Sequence, residues 1–539
     1  MSLTTREMRT GVPTVNSKGR SLRSFALPSL AAAVVVFTLI PLLYLLVRAS
    51  EKPFPEIMDL LLREKTLEVI GRTVSLVLLV VLIDIVVGTI LANGLFFVRL
   101  PFARYLVIPA ILPLAIPSYV FTYTWLAVLP SLSGFWASVF ILVLTTLPYV
   151  ILANMIGLRR IDSGLIEVAQ TLGLSRIQVF FKVVFPQIRM SISAGALLTG
   201  LYVMSDFGAV SLLNFETLTV SIQNMYRSSY DRSAAAIISL VLILASLVFV
   251  LMEDRFKGKA KLSTMVKSYS VRNLLIKKSS YRLGVLLLLT IYLALAVILP
   301  FYVLFSRFFA NRAAIEFGSL ASAALSTVSV AAFGAIIALA LSIPIGILSA
   351  NYAGASVRSA EKIILISHAL PGVVIGLALV SLGSKFGAIY QTTFLLALAY
   401  SLLFLAKAVA STSAALKQIP VVLREVASSL GKSNFQVATR ITVPMALPGI
   451  GLGALLVFLT AMKELPATLM LRPTGMQTLA TEIWSYASIN RFNEAAPYAL
   501  LLVLIAAIPT FVLSLPERME SQSIGAKPAT DPAPERGGE

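Results

Sequence analysis

About twelve apolar runs divide this chain, at residues 27–48, 70–97, 105–128, 134–157, 190–213, 233–252, 283–305, 324–350, 363–383, 392–415, 448–470 and 496–514. Most are long enough to cross the roughly 30 Å hydrocarbon core of a bilayer as a helix. A backbone in hydrocarbon must satisfy its own hydrogen bonds, which runs of this length do as helices. Composition agrees. Of 539 residues, 58% are hydrophobic and 13% charged, whereas a soluble chain carries roughly a quarter charged residues. The expected fold is an all-α polytopic membrane protein.

Charge sets the orientation. The formal net charge is +19, and in a membrane protein such an excess reflects the cytoplasmic bias of Lys and Arg rather than nucleic-acid binding. Arg6, Arg9, Lys18, Arg20 and Arg23 precede the first apolar run. That run is longer than a secretory signal core of about 7–15 residues, so it reads as a retained span with the N-terminus in the cytoplasm. Alternate loops carry the cations: Arg99 and Arg104; Arg159, Arg160, Arg176, Lys182 and Arg189; Arg358 and Lys362; Lys417, Arg424, Lys432 and Arg440. The opposite loops are balanced. Residues 51–72, for example, hold four basic and five acidic side chains. Both termini are therefore expected in the cytoplasm. The basic stretch 253–282 reads as a cytoplasmic linker between a first half, 1–252, and a second half, 283–516. Residues 517–539 read as a disordered tail. With no cysteine in the chain, disulfides and thiolate metal sites are excluded.

One polar passage occurs twice. Glu167-Val-Ala-Gln-Thr-Leu-Gly recurs as Glu425-Val-Ala-Ser-Ser-Leu-Gly, 258 residues on (425 minus 167). Pro186 and Pro444 close the two copies at the same spacing. Val168 and Leu172, like Val426 and Leu430, fall on one face of a short helix. Gly173 and Gly431 are placed to end it, since glycine adopts the left-handed C-cap without penalty. A second amphipathic stretch follows, with Ile177, Phe180, Phe181 and Val184 at helical spacing, and the proline is expected to begin the return into the membrane. The product is a helix–turn–helix between the fourth and fifth spans of each half. A single copy is adequately explained as a loop containing a helix. Two copies at one spacing point to two equivalent docking surfaces.

These residues resemble the E-A-A coupling loop of ABC-importer permeases, a pattern of Glu-Ala-Ala, then Gly, then a hydrophobic-Pro ending. Glu167, Ala169, Gly173 and Pro186 match it, as do Glu425, Ala427, Gly431 and Pro444; Val168 and Val426 stand where the pattern has Ala. Ser205-Asp-Phe-Gly-Ala-Val-Ser-Leu-Leu and Lys463-Glu-Leu-Pro-Ala-Thr-Leu-Met-Leu-Arg-Pro-Thr-Gly are similar to the fused permeases of ferric-iron ABC importers. Thiamine and phosphonate permeases share the fused plan, and sulfate and molybdate permeases a similar acidic-Phe-Gly-Ala segment. The resemblance implies a type I importer fold of two six-helix halves, with coupling loops at 159–189 and 417–447. It also implies a periplasmic solute-binding protein outside and two copies of a cytoplasmic ATPase engaging the loops.

Asp206 and Glu464 are also 258 apart (464 minus 206), each just beyond the fifth apolar run of its half, and are expected to face one another across a pseudo-two-fold axis. Ionisable groups at membrane depth are costly and usually line an interior or a water path. One reading makes them a translocation gate or transient oxygen contacts for a hard cation. The simpler reading, which we favour, has each cap a broken helix or pair with a base such as Lys463. Tyr202, Tyr226, Tyr230 and Asp231 are further oxygen donors, with an aromatic belt as the plainer explanation. Asp84, inside the second span, has no partner in the sequence.

Other signals carry less. Gly431-Lys432-Ser433 imitates the end of a phosphate-binding loop, but Val426 stands where the motif needs glycine. No ATPase activity is expected of this chain, and no cofactor. His368, the sole histidine, reads as structural. Gly372 with Gly376, and Gly449 with Gly453, suit close helix packing, and Pro117 and Pro371 suggest matching kinks. The leading expectation is the permease of an ATP-driven importer, most specifically for ferric iron, in a bacterial inner membrane. The alternatives are an importer permease for another solute (thiamine, phosphonate, sulfate, molybdate or a polyamine) and an ion-gradient-driven secondary transporter. A structural or assembly factor of the membrane is a third.

Overall fold

The computed structural model describes residues 23–98, 103–228, 232–257, 279–310, 315–352, 354–367 and 370–523. Among the described residues, nine helices are long and apolar enough to cross a membrane: Leu27–Ala49, Glu64–Phe97, Gly134–Leu158, Arg176–Ser205, Arg232–Met252, Tyr281–Ala310, Phe317–Ala350, Thr393–Lys417 and Arg440–Met462. They cover nine of the expected spans. The other three differ in form. The third is a bent pair, Leu106–Ala115 and Ser118–Leu126, meeting at 96°. The ninth is split between Ala355–Ser367 and Gly372–Gly383. The twelfth corresponds to the apolar part, Phe492–Ala507, of a helix that runs on to Ser523.

Proline explains both breaks. Pro117 and Pro371 have nearly the same extended backbone, φ −61° and ψ 150° against φ −63° and ψ 151°. Each cannot donate a hydrogen bond and biases the residue before it away from helix. The sequence suggested kinks here; at Pro117 the chain turns a corner of 96°, and after each proline a new helix starts.

Each half is built on a three-helix core. In the first, Glu64–Phe97, Gly134–Leu158 and Phe185–Ser205 pack on one another; in the second, Phe317–Asn351, Thr393–Lys417 and Val443–Met462 do the same. Small residues let the backbones close in. A Cβ on Gly195 would lie 2.9 Å from Val150 Cα, and one on Gly453, at the equivalent place, 2.4 Å from Ser411 Cβ. The first helix of each half reaches across to the other. Arg23–Ala49 packs on Phe317–Asn351, Ala355–Ser367 and Gly372–Gly383, while Ser279–Ala310 packs on Glu64–Phe97 and Ser118–Leu126. One apolar core consequently runs through both halves. The expected linker and tail fall largely at 258–278 and 524–539, outside the described residues.

Candidate functional site

The duplicated passages fold alike in detail. The first opens with helix Ser163–Thr171 and the second with Val421–Ser429. Gly173 and Gly431 then take φ of +78° and +74°. Both ends form the same pair of capping bonds. Gly173 N donates to Gln170 O and Leu174 N to Ala169 O, at 3.0 and 3.1 Å; Gly431 N donates to Ser428 O and Lys432 N to Ala427 O, again at 3.0 and 3.1 Å. This is the Schellman arrangement, which satisfies carbonyls the helix leaves open. No atom lies within 4 Å of a Cβ built on either glycine, so the backbone conformation, rather than crowding, selects glycine there.

The faces are equally matched. Ala169 and Ala427 are buried, each 5% exposed, beneath their helices. Val168, Leu172, Val426 and Leu430 are 56%, 76%, 51% and 74% exposed, and Glu167 and Glu425 lie on the exposed surface with Pro186 and Pro444. The Val found at 168 and 426 adds methyl groups to the outward face and leaves the packed alanine alone.

Beyond each glycine the chain enters a long helix rather than a second short one. Ser175 and Gln178 form a capping box, with Ser175 N donating to Gln178 Oε1 at 2.9 Å and Gln178 N to Ser175 Oγ at 3.4 Å. Ser433 and Gln436 repeat it at 3.1 and 3.3 Å. Gly431-Lys432-Ser433 is therefore a helix end joined to a helix start. From Arg176 the helix continues without interruption to Ser205, through a π-helical turn at Phe180–Val184; the second half has its π turn at Ala438–Thr442. Pro186 and Pro444 each sit just after this turn, in the second position of the α-helix that resumes. The proline does not open a new helix as expected. It lies inside one rod that joins the exposed loop to the fifth span, directly after the π turn, whose closing bond in the first half runs from Phe185 N to Phe180 O.

At the other end of that rod stand Asp206 and Glu464, 7% and 8% exposed. Asp206 Oδ1 accepts from Ala209 N at 3.0 Å and Val210 N at 3.3 Å, starting helix Gly208–Leu212. The Ser118 hydroxyl donates to its other oxygen. Glu464 Oε1 accepts from Ala467 N at 2.9 Å, and Oε2 from Thr468 N at 3.0 Å and Thr468 Oγ1 at 2.8 Å, starting helix Pro466–Leu471. Both carboxylates thus cap broken helices. The alternative pairing with Lys463 does not occur; its ammonium donates to the Leu114 carbonyl at 2.9 Å. The two breaks adjoin, since a Cβ on Gly208 would lie 3.3 Å from Leu465 Cδ2. Gly372 fits directly over the second cap: its Cβ would come within 2.4 Å of Glu464 Oε1. Ser118 holds the equivalent place after Pro117 and offers its hydroxyl instead.

The family profile for the binding-protein-dependent transport system inner membrane component matches residues 84–261 and again 342–518. The chain belongs to that family. It is a fused permease with two copies of the family domain, and each copy contains one loop and one capped break. The Fe(3+)-transport system permease protein FbpB 2 of Haemophilus influenzae is 31% identical over 480 residues, 88% of this chain and 95% of that protein. The molybdenum transport system permease protein ModB of Mycobacterium tuberculosis is 30% identical over 201 residues, 35% of this chain and 76% of that protein. The molybdate/tungstate permease WtpB of Pyrococcus abyssi is 23% identical over 248 residues, 45% of this chain and 99% of that protein. A whole relative of this kind thus fits within less than half of this permease. The ion-gradient alternative falls with membership in a binding-protein-dependent system.

The permease contains features that sequence reasoning does not resolve. Asp84 is fully buried and accepts from Thr146 Oγ1 at 2.6 Å and Thr199 Oγ1 at 3.3 Å, tying together the three core helices of the first half. Lys407 is absent from the sequence-derived candidates. It interrupts an apolar run, and a lone charge inside a span is itself a signal. Of the tyrosines, Tyr202 lies inside the bundle with its ring 5.8 Å from that of Tyr149, and Tyr226 is half-buried. Tyr230, Asp231 and His368 lie outside the described residues.

Proposed function

We propose that this permease carries ferric iron, delivered by a periplasmic binding protein, by alternating access driven from two copies of a cytoplasmic ATPase. The observation that carries the coupling reading is the pair of exposed apolar helix faces, Val168 with Leu172 and Val426 with Leu430, each fixed by the same left-handed glycine. A rigid amphipathic helix with its apolar face unpaired suits insertion into a groove of a partner. Each face sits on a short helix joined through its glycine to the rod of a fifth span, so force on the loop reaches the helix breaks at Asp206 and Glu464. ATP binding would draw the two loops together and open the interior outward; hydrolysis would return it inward. The nucleotide contributes by its differential interaction with the two states. In this reading both termini are cytoplasmic, and the halves 1–252 and 283–516 are joined by the basic linker 253–282.

Iron is supported by the Haemophilus influenzae relative, named for Fe(3+) transport and matched over nearly its whole length. The experiment is to copurify the cognate binding protein and identify its solute by elemental and mass analysis, then measure uptake of that solute by cells with and without the permease. Iron in the binding protein and permease-dependent iron uptake is the expected result. A different solute with permease-dependent uptake would replace iron and keep the importer.

A further inference from the structure

Two lysines reach the interior of the bundle, and among the described residues each donates to a neutral acceptor. Lys407 lies in the middle of Thr393–Lys417, half-buried. Its ammonium donates to Thr460 Oγ1 at 3.1 Å and sits 5.3 Å from the Phe404 ring centroid. Lys463 follows the last residue of Val443–Met462, also half-buried, and its ammonium reaches the Leu114 carbonyl in the first half. Thr460 and Lys463 are three residues apart on one helix end, so both lysines meet the same end of that helix. A hydroxyl, a ring face and a carbonyl orient these cations without neutralising them. The adjacent acid, Glu464, has both oxygens engaged in its own cap, and Asp206 likewise.

The first half does without these charges. Tyr202 stands where the second half has Thr460, and Ser205 where it has Lys463, both at the 258 offset. At the same offset Tyr149 stands where the second half has Lys407, with its ring centroid 5.8 Å from that of Tyr202. The shared framework is thus complete with neutral residues at all three places. The lysines add a cost of burying charge that the framework does not require.

We infer that Lys407 and Lys463 form a cationic station between the halves for a solute bearing negative charge on oxygen. That solute is either an oxyanion or a ferric ion enclosed in an anionic oxygen chelate. A bare ferric cation would be repelled there. This rests on the permease reading and narrows its substrate class.

The test uses cells expressing the permease with its own ATPase and binding protein, supplied with labelled ferric citrate, molybdate or sulfate. Lys407→Gln and Lys463→Gln should each cut uptake of the transported probe roughly tenfold, as expected for a lost charge-assisted contact. Lys407→Arg and Lys463→Arg should restore it, with membrane level and copurification of the ATPase unchanged throughout. Because the chain has no cysteine, Lys407→Cys offers a second measurement: an aminoethyl thiol reagent should restore uptake, and neutral or sulfonate reagents should not. Lysine-dependent uptake of ferric citrate supports a chelate, and lysine-dependent uptake of molybdate or sulfate supports an oxyanion and removes iron. Ferric citrate uptake that is indifferent to both lysines, or rescue regardless of reagent charge, overturns the station and leaves the iron reading standing.

Discussion

Two residue types set the local chemistry, glycines that reverse the chain and carboxylates that restart it. At Gly173 and Gly431 the positive φ makes any β-branched replacement strained by about 1–2 kcal/mol, although there is open space around both. Gly173→Val and Gly431→Val should therefore leave the permease in the membrane and impair ATPase copurification and uptake, while Gly→Asn, which tolerates the left-handed region, should be mild. At Asp206 the capping geometry gives a sharper contrast. Asp206→Ala abandons two buried N–H groups, at a cost of about 1–3 kcal/mol each, and should lower thermal stability in detergent. Asp206→Asn keeps an acceptor for both N–H groups, so stability and uptake should stay near wild type. Normal stability with lost uptake in the asparagine variant would return Asp206 to the gate reading. The glycines were legible in the sequence because a helix end imposes a strong local requirement. The cap on Asp206 was legible as one of two readings. Lys407, a single charge in an apolar run, gave a signal without a partner to interpret it.

Among the elements, the fifth-span rods connect the exposed loops to the interior. Sequence periodicity announced a helix before and after each glycine, but a π turn leaves no pattern of its own, and a proline near a helix start looks the same whether the helix begins there or resumes. The capping boxes Ser175–Gln178 and Ser433–Gln436 were readable as Ser-x-x-Gln and mark where the rods truly begin. Ser175→Ala combined with Ser433→Ala should cost about 1 kcal/mol at each cap. Hydrogen exchange should quicken over residues 173–185 and 431–443, with the interiors of the fifth spans unaffected. Uniform exchange changes, or none, would mean the boxes do not anchor the rods. The breaks at Pro117 and Pro371 were visible as prolines, but the size of the turn depends on packing between halves that no local pattern encodes.

On the scale of the whole molecule, the exchange of first helices between halves and the single core make the permease one packed body with two equivalent exposed loops. The repeat at 258 residues made that duplication legible in the sequence, because both copies keep the residues that need special backbone conformations. The crossing of each first helix onto the other half was not legible, since it depends on apolar faces that look alike everywhere in a lipid-facing chain. The central claim is that both loops dock equivalently on ATPase subunits. Single cysteines at Leu172→Cys and Leu430→Cys, in this cysteine-free chain, should each cross-link to the copurified ATPase through a short thiol–amine reagent, and the double variant should capture two ATPase copies per permease. Absence of cross-links at either position, in complexes that still bind ATPase and transport, would contradict it.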